Sequence, residues 1–131
     1  MLPLAEPKPS VSLAGRRILV MEDEYFLADD IRRVLASTGA TVIGPFNEVA
    51  DATSLLDRDT PVDAAILDIN LRSEMVFPVA RALRERGIPF VFTTGYDRRS
   101  IDPEFHDVTL WEKPLDSAAL LRSLGGMMRK E

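Results

Sequence analysis

Apolar residues along this chain fall into short runs separated by stretches of helical spacing. Ile18 to Met21 is an apolar run closed by Glu22, Asp23 and Glu24, and it predicts a buried strand. Leu27, Ile31, Val34 and Leu35 then recur one helical turn apart until Gly39, which predicts a helix and its end. Ala40 to Ile43 predicts a second strand, stopped by Gly44-Pro45. Asn47 is expected to cap a helix whose apolar stripe is Val49, Ala52, Leu55 and Leu56. Asp63 to Ile69 predicts the third strand. Val76, Val79, Ala80 and Leu83 predict the next helix, with Pro78 admissible only in its first turn and Gly87 as its end. Ile88 to Thr93 and Val108 to Trp111 predict the fourth and fifth strands. Asp116 is expected to cap a last helix with the stripe Leu120, Leu124, Met127 and Met128.

Strand and helix alternate through the chain, so the expected fold is α/β, a doubly wound five-stranded parallel sheet with crossover helices on both faces. The strands are apolar throughout, as both-face coverage requires. One link is weak. Between Tyr96 and Asp107 few positions are apolar and Arg98, Arg99, Asp102 and Pro103 intervene, so the fourth helix is expected to be short, displaced or absent. Residues 1 to 15, with Pro3, Pro7, Pro9, Ser10 and Gly15 and no periodicity, read as a flexible leader before one domain over 16 to 131.

Composition narrows the class. A chain of 131 residues, 46% hydrophobic and 28% charged, is the size of one globular domain. Its 21 acidic and 16 basic residues give a net charge of -5, which argues against nucleic acid as the default partner. The absence of cysteine removes disulfides and thiol chemistry and makes a reducing cytosol the plainest compartment. Neither a signal peptide nor a membrane span is expected from the pattern.

The polar exceptions gather at strand ends, where an open α/β sheet keeps its chemistry. Asp68 ends the run Ala65-Ile66-Leu67, Glu22 and Asp23 follow the first strand, Thr94-Gly95 follows the fourth and Lys113-Pro114 the fifth. A carboxylate can attack phosphorus to give an acyl phosphate. The obstacle is repulsion between two anions. A divalent cation held by Asp23 and Asp68, with Glu22 reaching it through water and the main-chain carbonyl of Asn70 completing the ring, would offset it, and Mg²⁺ suits such oxygen ligands. Lys113 and the Thr94 hydroxyl would then hold other phosphoryl oxygens. Taken singly, each feature has a plainer reading: acidic residues favour a helix N-terminus, Thr-Gly is a strand exit, and Lys-Pro is a solvated helix approach. Asp68 is harder to dismiss, because a buried carboxylate at a central strand tip needs a partner.

These segments resemble a known family. Ile-Leu-Val-Met-Glu-Asp-Glu, Ala-Ile-Leu-Asp-Ile-Asn-Leu, Phe-Thr-Thr-Gly-Tyr and Trp-Glu-Lys-Pro-Leu are similar to the motifs of response-regulator receiver domains, over about residues 16 to 130. The resemblance implies a flavodoxin-like fold, Asp68 as phosphoacceptor, Glu22 and Asp23 as the acidic pair around Mg²⁺, Thr94 as the switch hydroxyl and Lys113 as the phosphoryl contact. Pro-Phe-Val-Phe-Thr-Thr-Gly-Tyr further resembles the variant receivers with a Phe-Ala-Thr-Gly fourth strand, common among single-domain regulators of alphaproteobacteria, whose fourth helix is often altered. Three positions depart from the family: Leu110 stands where an aromatic switch residue is usual, Arg72-Ser73 replaces a Pro-Gly turn, and Glu22 is one methylene longer than Asp.

The expected function is that of a single-domain two-component response regulator. It would be phosphorylated on Asp68 by a sensor histidine kinase or phosphotransfer protein with Mg²⁺, and would signal through protein contacts or serve as a phosphate sink. No enzymatic activity beyond self-phosphorylation and self-dephosphorylation, no nucleic acid and no membrane are expected, and pairing of two copies through the last helices is left open. The alternative is a metal-dependent phosphatase of the aspartyl-phosphate type acting on small molecules. Such enzymes place a second Asp two residues after the first, and here that residue is Asn70. His106, the one histidine, reads as a solvated loop residue, and Tyr25, Trp111 and the Met127-Met128 pair as packing residues. The resemblance also puts Asn70 and Tyr96 beside the path of a hydrolytic water, which implies slow loss of the phosphoryl group.

Overall fold

The computed structural model describes residues 12–72, 74–95 and 101–129. Five parallel strands form one sheet in the order β2-β1-β3-β4-β5. They are β1 (Arg17–Met21), β2 (Thr41–Phe46), β3 (Ala64–Asp68), β4 (Phe90–Thr94) and β5 (Leu110–Glu112). The helices are α1 (Tyr25–Ser37), α2 (Val49–Asp57), α3 (Phe77–Glu85) and α4 (Ser117–Arg129). This is the five-stranded flavodoxin-like arrangement.

Alternation along the strands divides the core in two. Leu19, Met21, Ala65, Leu67, Phe90 and Phe92 pack with α2 and α3. Ile18, Val20, Ala64, Ile66 and Val91 pack with α1 and α4 through Ile31, Leu35, Leu120, Leu124 and Met128. Burial of each such Leu, Ile or Phe contributes roughly 1.5–3 kcal/mol against the entropy of ordering the chain. The three central strands are thereby fixed on both faces, and their C-terminal tips open at one edge. Among the described residues no helix is long and apolar enough to cross a membrane.

Between β4 and β5 the described residues hold no α-helix, only a single 3-10 turn, Pro103–Phe105. Phe105 replaces what a helix would bury. It stacks on Phe77 with ring centroids 5.5 Å apart and meets Phe92 edge-on at 5.7 Å. Arg81 and Arg84 of α3 hold the turn from above through Asp102, Glu104 and Asp107. Tyr96, Arg98 and Arg99 lie outside the described residues.

Three local expectations are corrected. The leader does not run to residue 15, because Leu13 is buried in the α1/α4 side of the core and its amide donates to Thr38; residues 1–11 lie outside the described residues. Strand β2 does not stop at Gly44-Pro45. An edge strand tolerates a residue with no N–H, and β2 continues to Phe46 past a register shift opposite β1, with Gly44 at a φ of 105° that favours glycine. Asn47 does not cap α2. The Val49 amide is instead received by the Glu74 carboxylate at 3.0 Å, from the loop after β3.

Candidate functional site

Asp68 is the last residue of β3, and register carries its neighbours to it. Ile66 pairs with Val20 and Leu67 with Met21, so Glu22, one residue past β1, arrives beside Asp68. Asp68 itself pairs with Thr93 across β4, and Lys113 follows β5 with its amide donating to Thr94 O at 2.8 Å. Thus six residues singled out from the sequence, Glu22, Asp23, Asp68, Asn70, Thr94 and Lys113, collect at one sheet edge.

Glu22, Asp23 and Asp68 each place a carboxylate oxygen within 4.8 Å of the other two. Glu22 and Asp68 are both 3% exposed. Lys113 Nζ lies 3.1 Å from Glu22 Oε1, 3.1 Å from Asp68 Oδ2 and 3.8 Å from Glu24 Oε2. One ammonium therefore serves several carboxylates. Apart from that ion pair, Glu22 Oε1 is buried and accepts no hydrogen bond. Burial, joined by the charge of Asp68, pushes the Glu22 carboxyl up to about 7. Burial also raises Asp68, against the opposing charge of Lys113. Burial disfavours the Lys113 ammonium, but the two carboxylates outweigh it and hold its pKa above the ordinary value. Both buried carboxyls are therefore raised, with a single ammonium between them.

Asp23 is placed differently. Its Oδ2 receives the main-chain amide of Arg72 at 2.6 Å, and the Arg72 Nε is 3.7 Å away. The loop after Asp68 is in turn pinned by a bridge between Asn70 and Met75 and by Val76 N–H donating to Ile69 O. Asp23, Glu24, Asp68, Asn70, Leu71, Arg72, Gly95 and Lys113 line an open cavity of about 750 Å³. The Asn70 amide donates to Asp68 Oδ1 at 3.3 Å, and its side-chain Nδ2 is buried without a partner.

On β4, Phe92 packs with α2 and α3, so alternation puts Thr94 on that side and Thr93 on the side of α1 and α4. Leu110 shares the face of Thr94 and packs against the same core. Thr93 Oγ1 and Trp111 Nε1, cross-strand neighbours on the other face, are buried without partners.

Trp111 and Met128 pack as expected, with Met127 partly buried beside them, but Tyr25 does not. It is 76% exposed and Phe26 is 86% exposed, their rings edge to face at 5.4 Å. The stripe of α1 that faces the core runs through Leu27, Ile31 and Leu35, and Tyr25 falls off it. His106 is exposed, with Nε2 3.3 Å from Ile101 O and no acidic residue of the site near it in the chain. The contacts of Arg72 with Asp23 and of Glu74 with Val49 escaped the sequence reading. Both are contacts of the loop after β3 with distant segments, the first with the β1–α1 loop and the second with the start of α2, and periodicity carries no signal for them.

No protein-family model matches the chain. The chain is 37% identical to SdrG from Pseudomonas melonis Fr1, solved in solution in its BeF3-activated conformation; the match covers 88% of this chain and 98% of that one, with a TM-score of 0.70. A response regulator receiver protein from Sinorhizobium medicae WSM419 is 26% identical over 90% of this chain and 98% of its own, with a TM-score of 0.76. Among curated proteins, the uncharacterized transcriptional regulatory protein YbdJ of Bacillus subtilis strain 168 is 27% identical over 122 residues, 88% of this chain. The chain spans about half the length of the curated relatives it matches, 52% in the case of YbdJ.

Proposed function

Since the chain belongs to the response-regulator receiver domains, we propose that it takes up a phosphoryl group on Asp68 from a sensor histidine kinase or phosphotransfer protein and passes the signal on by protein contact. The observation that carries this reading is the pairing of Asp68 with Lys113 at 3.1 Å inside a three-carboxylate cluster. Asp68 is the carboxylate at the cavity floor with an oxygen already aligned by a cation. Lys113 would pair with a phosphoryl oxygen once Asp68 carries the acyl phosphate, and the Thr94 hydroxyl stands at the neighbouring strand tip. Asn70 presents an amide, which holds no transferable proton, so the small-molecule phosphatase alternative is not adopted.

The donor set fits a hard divalent ion. Three carboxylates converge, one of them with an oxygen that accepts no hydrogen bond, and one ammonium does not neutralise them. Asp23, Asp68 and the Asn70 carbonyl would hold Mg²⁺, with Glu22 set deeper and reaching it through water. When bound, the ion supplies the positive charge that offsets repulsion between Asp68 and the phosphoryl group.

The exposed Tyr25-Phe26 pair follows the acidic triplet directly, and it supports docking of the phosphodonor protein on the start of α1. The match to SdrG over 98% of that chain, solved in its BeF3-activated conformation, supports a receiver that is activated at this site. The test is BeF3 titration by NMR with Mg²⁺ present. Saturable shifts at the Thr94, Gly95 and Lys113 amides in the wild type, absent from Asp68→Asn, support the reading; their persistence in the variant overturns it.

A further inference from the structure

Two cationic side chains line the cavity, and they are not equivalent. Lys113 is 15% exposed and already sits between Glu22 and Asp68. Arg72 is 84% exposed, and its guanidinium stands 3.7 Å from Asp23, beyond hydrogen-bond length. Its main chain is nevertheless fixed. The Arg72 amide donates to Asp23 at 2.6 Å, the preceding Leu71 is buried, and the Leu71 amide donates to Glu74 O at 3.1 Å. An exposed guanidinium, paired with Asp23 at 3.7 Å but not hydrogen-bonded to it, thus rises from a held backbone position at the mouth of a site whose other walls carry Asp23, Glu24 and Asp68.

A phosphodonor brings negative charge into this acidic surround. Lys113 is occupied by the buried carboxylates until phosphorus is within reach of Asp68, so it cannot receive an anion at the entrance. The five N–H donors of an arginine can, in the forked geometry that suits phosphate and carboxylate oxygens. We propose that Arg72 is the donor-binding residue of the site: its guanidinium receives the oxygens of an anionic small-molecule phosphodonor of the acyl phosphate class and presents the phosphorus to Asp68. This rests on the reading of Asp68 as phosphoacceptor. In the step served, an Asp68 carboxylate oxygen forms a bond to phosphorus while the bond from phosphorus to the donor's carboxylate oxygen breaks, and the released carboxylate leaves with the electron pair.

The experiment compares wild type, Arg72→Ala and Arg72→Lys with acetyl phosphate at fixed Mg²⁺, following the phosphorylated fraction by intact-protein mass. Calorimetric titration of each protein with Mg²⁺ runs alongside. Arg72→Ala is expected to lower the apparent second-order rate constant by about three- to tenfold, to flatten its decline with added salt, and to leave Mg²⁺ affinity within about twofold. Arg72→Lys should recover part of the rate, because charge is restored without the fork. Three results overturn the proposal: an unchanged rate in Arg72→Ala, a faster one, or a slower one matched by an equal loss of Mg²⁺ affinity. A faster rate with tighter Mg²⁺ would mean that the guanidinium competes with the cation at Asp23. If the wild type itself takes no phosphoryl group, the reading of Asp68 falls, and this proposal with it. A reactive wild type with an indifferent Arg72→Ala overturns the role of Arg72 alone.

Discussion

Lys113 Nζ lies 3.1 Å from Asp68 Oδ2 across the gap between the ends of β3 and β5, and the same ammonium reaches Glu22 Oε1 at 3.1 Å. A single cation therefore separates two buried carboxylates. Its removal leaves both without compensation, and the cost depends on whether they can take up a proton. Lys113→Met should destabilise the metal-free protein by about 3 kcal/mol near pH 8 and clearly less near pH 5.5, where Glu22 is protonated. Urea unfolding at the two pH values checks it; an equal loss at both would mean that the ammonium does not neutralise these carboxylates.

The same cluster gives the metal-free protein a pH dependence of definite sign. Folded, Glu22 keeps its proton up to about 7, whereas the ordinary value is 4.5. Between those values the folded state binds the extra proton, so stability rises as pH falls from about 7 towards 4.5 and is lost as pH rises through the folded value. Asp68, also raised, acts in the same sense. Melting temperature in chelator should therefore increase on acidification across this window, and Glu22→Gln should flatten the profile. A wild-type profile that falls on acidification would contradict the assignment.

The two acidic neighbours should differ towards Mg²⁺. Asp23→Ala is expected to weaken binding much more than Glu22→Ala, since Asp23 borders the cavity and Glu22 sits behind it, engaged by Lys113. Their effects on the metal-free fold should differ as well. Glu22→Ala relieves repulsion with Asp68, whereas Asp23→Ala loses the hydrogen bond from the Arg72 amide, a loss of about 1 kcal/mol. Calorimetry with Mg²⁺ and thermal melts decide it; equal loss of affinity in both variants would sink the distinction.

How much of this was legible in the sequence follows from the range of the interactions. Five apolar runs and four helix stripes account for the sheet and the core, because both rest on periodicities of a few residues. Asp116 was readable as the cap of α4 for the same reason, and its carboxylate does receive the Ala119 amide. The cap of α2 was not. Glu74 reaches Val49 from the loop after β3, while Asn47, the residue with the right chemistry nearby, sits too early. Tyr25 has the aromatic character of a packing residue, yet it lies off the apolar stripe of α1. At the site, strand-end chemistry placed all six residues, but which carboxylate the lysine would serve depends on parallel register, and register is a property of the assembled sheet.

The α2 cap yields a prediction of its own. Glu74→Ala should cost about 1 kcal/mol, the usual worth of a helix N-terminal cap, and Glu74→Gln should keep most of the stability because an amide oxygen can still accept from Val49. Urea unfolding of the three proteins measures it. No loss in Glu74→Ala would show that the contact does not stabilise α2.

The central claim is that Asp68 is the phosphoacceptor. It is tested most directly by intact-protein mass after incubation with a small-molecule phosphodonor and Mg²⁺, for the wild type, Asp68→Asn and the wild type with excess chelator. One labile phosphoryl group on the wild type, none on Asp68→Asn and little with chelator is the predicted result; a phosphoryl group retained on Asp68→Asn under the same conditions would contradict the account.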